Sequence, residues 1–255
     1  RFHRPRGAIL LQYRHILCLG LAFVASVALA TPARAENLAN LARTARQADA
    51  GIFGSAEFQA AALSALPQWN RVLDRLSVEG ETLKACMADA TTCGTPAMRT
   101  LGRAVAEARE LPPLQQIDYI NKFFNRWPYK LDVEVYGLSE YWATPSEFMI
   151  HSGDCEDYGI AKFFALRQLG FSNDQMRVVV VMDTIRQIGH AVLAVYVEND
   201  IKILDSLSDA IFSDSFYKHY IPQYSVNETS RWLHVPKPNL LTSKVTAKPH
   251  SGVLP

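Results

Sequence analysis

SGDCEDYGIAKFFALRQLG, residues 152–170, decides how this chain reads. Gly153 permits a tight turn, and the acids Asp154, Glu156 and Asp157 suit the first turn of a helix, where unpaired backbone N–H groups and the helix dipole favour negative charge. The helix is expected from about Asp154 to Leu169, stopped by Gly170. After it the period changes from helix to strand. MRVVVVMDT (176–184), HAVLAVYV (190–197) and DIKILDSL (200–207) are β-branched and apolar, with turn residues between them. A helix leading into an antiparallel meander is an α+β pattern, not an alternating βαβ one.

Upstream, Pro112-Pro113 opens another helix, in which Leu114, Ile117, Ile120, Phe123 and Phe124 recur at helical spacing up to Arg126. Trp127-Pro128-Tyr129 ends it, and residues 133–153 read as an aromatic-rich loop. Residues 37–110 read as polar helices broken at Gly51-Ile52-Phe53-Gly54 and Pro67. From Val235 the composition turns Pro/Lys/Ser-rich. The expected organisation is a signal peptide (1–35), one domain (36–234) and a frayed tail (235–255).

The chain's 255 residues, 49% hydrophobic and 20% charged, are ordinary for a globular protein and exclude collagen-like, coiled-coil and disulfide-scaffold classes. Its +1 formal charge is unevenly spread. Residues 1–35 hold five Arg and no acid, leaving 21 bases against 25 acids in the rest, a net of −4. A mildly acidic body without a basic stripe argues against a nucleic-acid partner. The Arg-rich start, the apolar run Ile16–Ala30 and Ala33-x-Ala35 fit a cleavable export signal, with Glu36 as the new N-terminus. An uncleaved anchor is the alternative, but the run is short of the roughly 20 residues that span a bilayer. The expected location is outside the cytoplasm, with no membrane span after cleavage. Cys86, Cys93 and Cys155 survive cleavage. Cys86 and Cys93 either close a small disulfide loop or remain free and buried, and Cys155 is the odd thiol.

A thiol at a helix start is favoured as thiolate, and a nucleophilic cysteine needs a base and a group to orient that base. His190 opens the second strand and Asp205 lies late in the third, with Asp200 and Asp209 as rivals to Asp205. His151 lies too near Cys155 in sequence to serve as the base. A turn at Glu198-Asn199 puts His190 diagonal to Asp205, about 7–8 Å apart. A turn at Asn199-Asp200 instead puts Asp205 roughly 13 Å out of reach. Both registers are open to the sequence. Asp154, Glu156 and Asp157 should raise the pKa of the thiol between them. They are either acids that suit the helix dipole or ligands for a hard divalent cation, calcium fitting an exported protein better than magnesium.

The block GDCEDYGIAKFFALRQLG, followed by RVVVV, GHAVLAV and KILDSL, resembles the bacterial transglutaminase-like cysteine proteinases of the LapG type over roughly residues 110–208. The resemblance implies a papain-like, transglutaminase-type α+β fold, with N-terminal helices and a helix packed on an antiparallel sheet. It implies Cys155 as nucleophile, His190 as general base and acid, and Asp205 as orienting carboxylate. It also implies calcium held by Asp154 and Glu156, with Asp157 a further candidate. The backbone N–H of Cys155 and a side chain from Tyr141-Trp142 are oxyanion-hole candidates. Gly159 stands where the family pattern suggests Ala. The function implied is periplasmic cleavage of a large surface adhesin near its N-terminus, which disperses biofilm. Regulation would come from sequestration on an inner-membrane cyclic-di-GMP receptor of the LapD type. The alternatives are a transglutaminase or amidase using the same three residues, and a non-enzymatic calcium-dependent adapter.

Overall fold

A computed structural model describes residues 51–60 and 63–237. The expected signal segment and most of the expected tail lie outside the described residues.

The chain runs β1 (Ala56–Ala60), α1 (Pro67–Ala88), α2 (Pro96–Arg109), α3 (Pro113–Phe124), α4 (Asp132–Val135), α5 (Pro145–His151) and α6 (Cys155–Gln168). It continues as β2 (Met176–Asp183), β3 (Ile188–Val197), β4 (Asp200–Asp205), β5 (Ser208–Ser213), β6 (Tyr220–Val226) and β7 (Arg231–Val235). The strands form one seven-stranded sheet in the order β1-β7-β6-β2-β3-β4-β5, with every pairing antiparallel. The architecture is the expected α+β fold: N-terminal helices, then a helix against an antiparallel sheet.

The helix α6 is buried on every side from Asp157 to Leu166. One side lies on β2 and β3, and the other meets α3 and α5. Phe163 meets Trp69 of α1 edge-on at 6.0 Å, and the Trp69 indole donates to the Asn227 carbonyl at 2.9 Å, tying α1 to the β6–β7 turn. Burying each such aromatic ring contributes about 1.5–3 kcal/mol. The helix stops as expected. Gly170 has φ +100°, and the N–H groups of Gly170 and Phe171 return to the carbonyls of Arg167 and Leu166.

Both faces of the central sheet are covered. Val178, Leu193, Val195 and Leu204 pack with the helices. Val179, Val181, Val192, Ala194 and Ile203 pack on the other face with Ile52, Phe53, Tyr217 and Tyr220. Two-sided burial is why β2 and β3 read as continuous apolar runs without polar alternation.

The turn between β3 and β4 is Glu198-Asn199, with φ +50° and +62°, a two-residue primed turn. The ladder runs from Val197↔Asp200 to Leu193↔Leu204, so the first of the two registers is adopted. Cys86 and Cys93 are joined by a disulfide.

The structure corrects several expectations. Residues 56–60, read as helical, form β1 and pair with β7 (Ala56↔Val235). AEFQA carries no strand pattern of its own; distant pairing and the Arg177–Glu57 bridge (2.6 Å) hold it. Val235, expected to begin the tail, closes β7. The loop 133–153 contains α5, whose N-terminus is a capping box between Thr144 and Glu147 with Pro145 in the first turn. Strands β5–β7 fall beyond the expected meander. They are short and partly exposed, and Pro222, which has no N–H to donate, sits at an irregularity in the β2–β6 ladder. Among the described residues no helix is long and apolar enough to cross a membrane.

His234 clamps the β1 side of the sheet. Its Nδ1 lies 2.7 Å from Ser55 Oγ and its Nε2 2.8 Å from Ser225 Oγ. Ser55 Oγ donates to the Ile52 carbonyl, so the ring donates through Nδ1 and accepts through Nε2, the neutral form. Burial lowers the His234 pKa from 6.5 to about 4, against the attraction of Glu57. The unfolded chain therefore takes up a proton that the folded chain refuses, and this contribution to stability is lost as pH falls from 6.5 to about 4. His234→Gln is expected to flatten the pH dependence of the urea midpoint across that window. An unchanged slope in the variant would refute this.

Candidate active site

Cys155 is the first residue of α6, with Asp154 as N-cap. The preceding segment is held by a parallel bridge between Tyr129 and Gly153 and by the Lys130 N–H donating to the Gly153 carbonyl at 2.9 Å. The left-handed position in this turn is Ser152 (φ +69°, ψ −176°), not Gly153, in a region that side-chain-bearing residues rarely adopt. Gly153 is required for a different reason. A Cβ there would lie 2.0 Å from Asp157 Oδ2 and 2.8 Å from Asp157 Cβ. Asp157 folds back over the turn, accepting from the N–H groups of Asp154 (3.2 Å) and Ala143 (2.6 Å).

His190 and Asp205 are brought together, 3% and 1% exposed, with His190 Nε2 2.8 Å from Asp205 Oδ1. The Tyr220 hydroxyl donates to Asp205 Oδ2 at 2.7 Å, and the Leu207 N–H donates to Oδ1 at 3.0 Å. Burial alone would raise the Asp205 pKa, but these donors outweigh it and hold the carboxyl below its ordinary value. An ionised carboxylate only accepts, so His190 Nε2 carries the shared proton and Nδ1 is left for another partner. Asp200 is taken up by Lys202 (2.9 Å) and Ser213 (2.8 Å), and Asp209 by Asn125 (3.1 Å). The His151 ring packs edge-on to Tyr136 at 6.3 Å.

Cys155 is the free cysteine among the described residues and is half-buried. Its sulfur receives the backbone N–H of Ala191, the residue after His190. Its thiol also lies 3.3 Å from Glu156 Oε2. Burial, and then the charges of Glu156 and Asp154, push the thiol well above its ordinary pKa, against the Ala191 N–H. Both side-chain donors at Tyr141-Trp142 are engaged, the phenol with Glu147 and the indole with Glu140, each at 3.1 Å. A Cβ on Gly159 would meet Val178 at 3.6 Å, an ordinary contact, so this position has room for either residue.

The acidic residues form two overlapping clusters. Asp154, Cys155 and Glu156 make one; Asp132, Asp154 and Asp157 make the other, each offering ligand atoms within 4.8 Å of one another. Asp132 is the member that the sequence does not single out. It lies far upstream at the start of α4, and the Tyr129–Gly153 bridge and the Lys130 N–H to the Gly153 carbonyl bring that segment alongside the turn. Asp132 Oδ1 and Asp154 Oδ1 are both buried without a hydrogen-bond partner. Burial raises the Asp132 pKa to about 6, with the Asp154 charge adding to it, and burial raises Glu156 to about 9, reinforced by Asp154. Asp157 is raised well above its ordinary value, burial again leading. Carboxylates crowded this closely, with lone pairs that no donor meets, fit a hard cation such as calcium.

Cys155 at the start of α6 and the bonded His190–Asp205 pair on β3 and β4 are thus the thiol, imidazole and carboxylate of the site. A sequence model of the bacterial transglutaminase-like cysteine proteinases matches residues 81–239, and the chain belongs to that family. Three solved structures of LapG from Legionella pneumophila are similar to it. The calcium-bound form is 30% identical (TM-score 0.52), covering 60% of this chain and 87% of that one. The EGTA-treated form is 29% identical (TM-score 0.52), covering 60% and 85%. A third is 28% identical (TM-score 0.53), covering 63% and 92%. No curated protein matches the chain.

Gly153→Ala is expected to displace Asp157 and lower stability by about 1–3 kcal/mol, as overpacking does. Chemical denaturation measures this, and wild-type stability in the variant would refute the close approach.

Proposed function

We propose that this protein is a calcium-dependent cysteine endopeptidase of the periplasm that cuts a large cell-surface adhesin near its N-terminus and so disperses biofilm. The observation that carries the reading is the buried His190–Asp205 bond of 2.8 Å, next to the strand residue whose N–H meets the Cys155 sulfur. Family membership supports the proteinase class, and the Arg-rich, apolar N-terminal segment supports export.

In this reading the Cys155 sulfur attacks the scissile carbonyl carbon, and the proton of the thiol passes to His190 Nδ1. The backbone N–H of Cys155, at the positive end of α6, faces the oxyanion. When the intermediate collapses, the C–N bond breaks and His190 gives its proton to the leaving amine. A thioester to Cys155 remains. His190 then removes a proton from water, whose oxygen attacks the thioester carbon; the C–S bond breaks, the acid is freed, and the proton on His190 returns to the Cys155 sulfur. Asp205, pinned by Tyr220 and the Leu207 N–H, keeps the imidazole in the tautomer that leaves Nδ1 free.

Asp132, Asp154 and Asp157 would hold the calcium, with Glu156 adjoining them. The bound cation supplies positive charge that offsets the carboxylates and favours the thiolate. Sequestration by an inner-membrane cyclic-di-GMP receptor of the LapD type belongs to the same reading and rests on the sequence resemblance.

The test is cleavage of the N-terminal segment of a large adhesin from the same organism. Cutting is expected from wild type with calcium, and none from Cys155→Ala or in chelator. Incorporation of an added primary amine in place of cleavage would move the activity to amide transfer. Calcium is also expected to raise the melting temperature of wild type, and Asp132→Asn to weaken calcium binding about 10-fold or more, measured by calorimetric titration. Equal affinity in the variant would remove Asp132 from the ligand set.

A further inference from the structure

Lys162 is the one fully buried cation that the proposed chemistry leaves unused among the described residues, at 0% exposed. It lies two turns along α6 from Cys155, on the same side of the helix. A buried ammonium is costly unless something meets it. Its Nζ donates to Asn125 Oδ1 at 2.7 Å and lies 5.6 Å from the centroid of the Tyr158 ring. Asn125 follows α3, and its amide faces the other way toward the end of β4. Asn125 Nδ2 reaches the Asp205 carbonyl (3.0 Å), the Ser208 carbonyl (3.0 Å) and Asp209 Oδ1 (3.1 Å).

The chemistry of the donors makes this chain of contacts directional. Lysine has donors only, so it forces the carbonyl end of the Asn125 amide toward itself. The NH2 end must then point at the β4–β5 turn, whose groups there are all acceptors. The acceptors of the turn demand the NH2 end for the same reason, so partners at both ends hold the amide in one orientation. The turn gripped in this way carries Asp205 and Leu207, the carboxylate and N–H that set His190. One continuous path therefore joins the helix bearing the thiol to the strand end bearing the acid: α6, Lys162, Asn125, Asp205.

We infer that Lys162 and Asn125 are positioning residues for the Cys155–His190–Asp205 group, orienting Asp205 by holding the β4–β5 turn against α6. The inference rests on the catalytic reading above, because it concerns how that site is aligned. It also gives a role to a lysine that is fully buried beside the Tyr158 ring. Burial pulls its pKa down to about 7, and the Asp205 and Asp209 carboxylates pull against that.

The experiment uses the full chain with calcium, in wild type, Lys162→Met, Asn125→Asp and His190→Ala. Two readouts need no substrate: the rate at which iodoacetamide alkylates Cys155, followed by mass spectrometry, and the downfield proton resonance of His190 Nε2–H. Both are taken well below each variant's melting temperature. Lys162→Met and Asn125→Asp are each expected to slow alkylation about 10-fold or more and to broaden or abolish the resonance, since small misplacements of such groups are costly in rate. Asn125→Asp separates positioning from mere packing. An aspartate satisfies the buried ammonium at least as well as the amide, yet has nothing to donate to the carbonyls of the turn. A wild-type rate and resonance in Asn125→Asp would overturn the inference, whether or not Lys162→Met folds. His190→Ala distinguishes the two levels. If it leaves alkylation at the wild-type rate, the catalytic reading itself falls. If it slows alkylation while the other two variants do not, the positioning role alone falls.

Discussion

A helix enclosed on every side has little freedom to slide or tilt, because each residue is held by several neighbours at close-packed density. In this protein that helix is α6. Phe163 lies against Trp69, Gly159 faces Val178 and Val192, and the last turn is closed by Gly170 and Phe171. The packing fixes where the first turn comes to rest, and the first turn carries Cys155 and its flanking acids. The rest of the site is arranged around that end. The Tyr129–Gly153 bridge brings the α4 segment alongside, the β3 backbone meets the sulfur at Ala191, and the β4–β5 turn is gripped from α3.

That placement creates an electrostatic problem. The helix dipole and the Ala191 N–H favour a thiolate, while burial and two adjacent carboxylates oppose it, and the opposition prevails. Burial and the same crowding raise Asp132, Glu156 and Asp157, so ionising this end of the helix is costly unless something offsets the charge. The His–Asp pair is the counter-example within the same molecule. Asp205 is equally buried, but donors meet both of its oxygens and keep it ionised. The difference between the two sites is the supply of donors. Where the fold provides them, a buried carboxylate stays ionised; where it does not, the carboxyl takes up a proton or needs a cation beside it.

Much of this was legible in residue order. The helix following Gly153, its stop at Gly170 and the three strands of the meander follow from local patterns: helical spacing, β-branched runs and turn residues, whereas Asp200 and Asp209 rival Asp205 until the register separates them. Other features left no such trace. β1 is a five-residue strand of Ala, Glu, Phe and Gln whose pairing partner lies at the far end of the domain, and β5–β7 are short, polar or interrupted by Pro222. The capping box of Thr144 and Glu147 was a readable signal for α5 inside a stretch that otherwise looks like loop.

Sequence alone determined which chemistry the chain could carry, since a cysteine at a helix start, a histidine opening a strand and acids around the thiol are set by order along the backbone. It left two registers for the hairpin between β3 and β4, and the folded chain adopts the one that brings His190 to Asp205, with Glu198 and Asn199 in the positive-φ backbone of a two-residue primed turn whose twist suits the paired strands. Only the folded chain could add Asp132 to the acidic cluster and Lys162 with Asn125 to the support of Asp205. Those contacts join segments far apart in the chain, and a sequence records the spacing of neighbours, not the distances between elements that packing brings together.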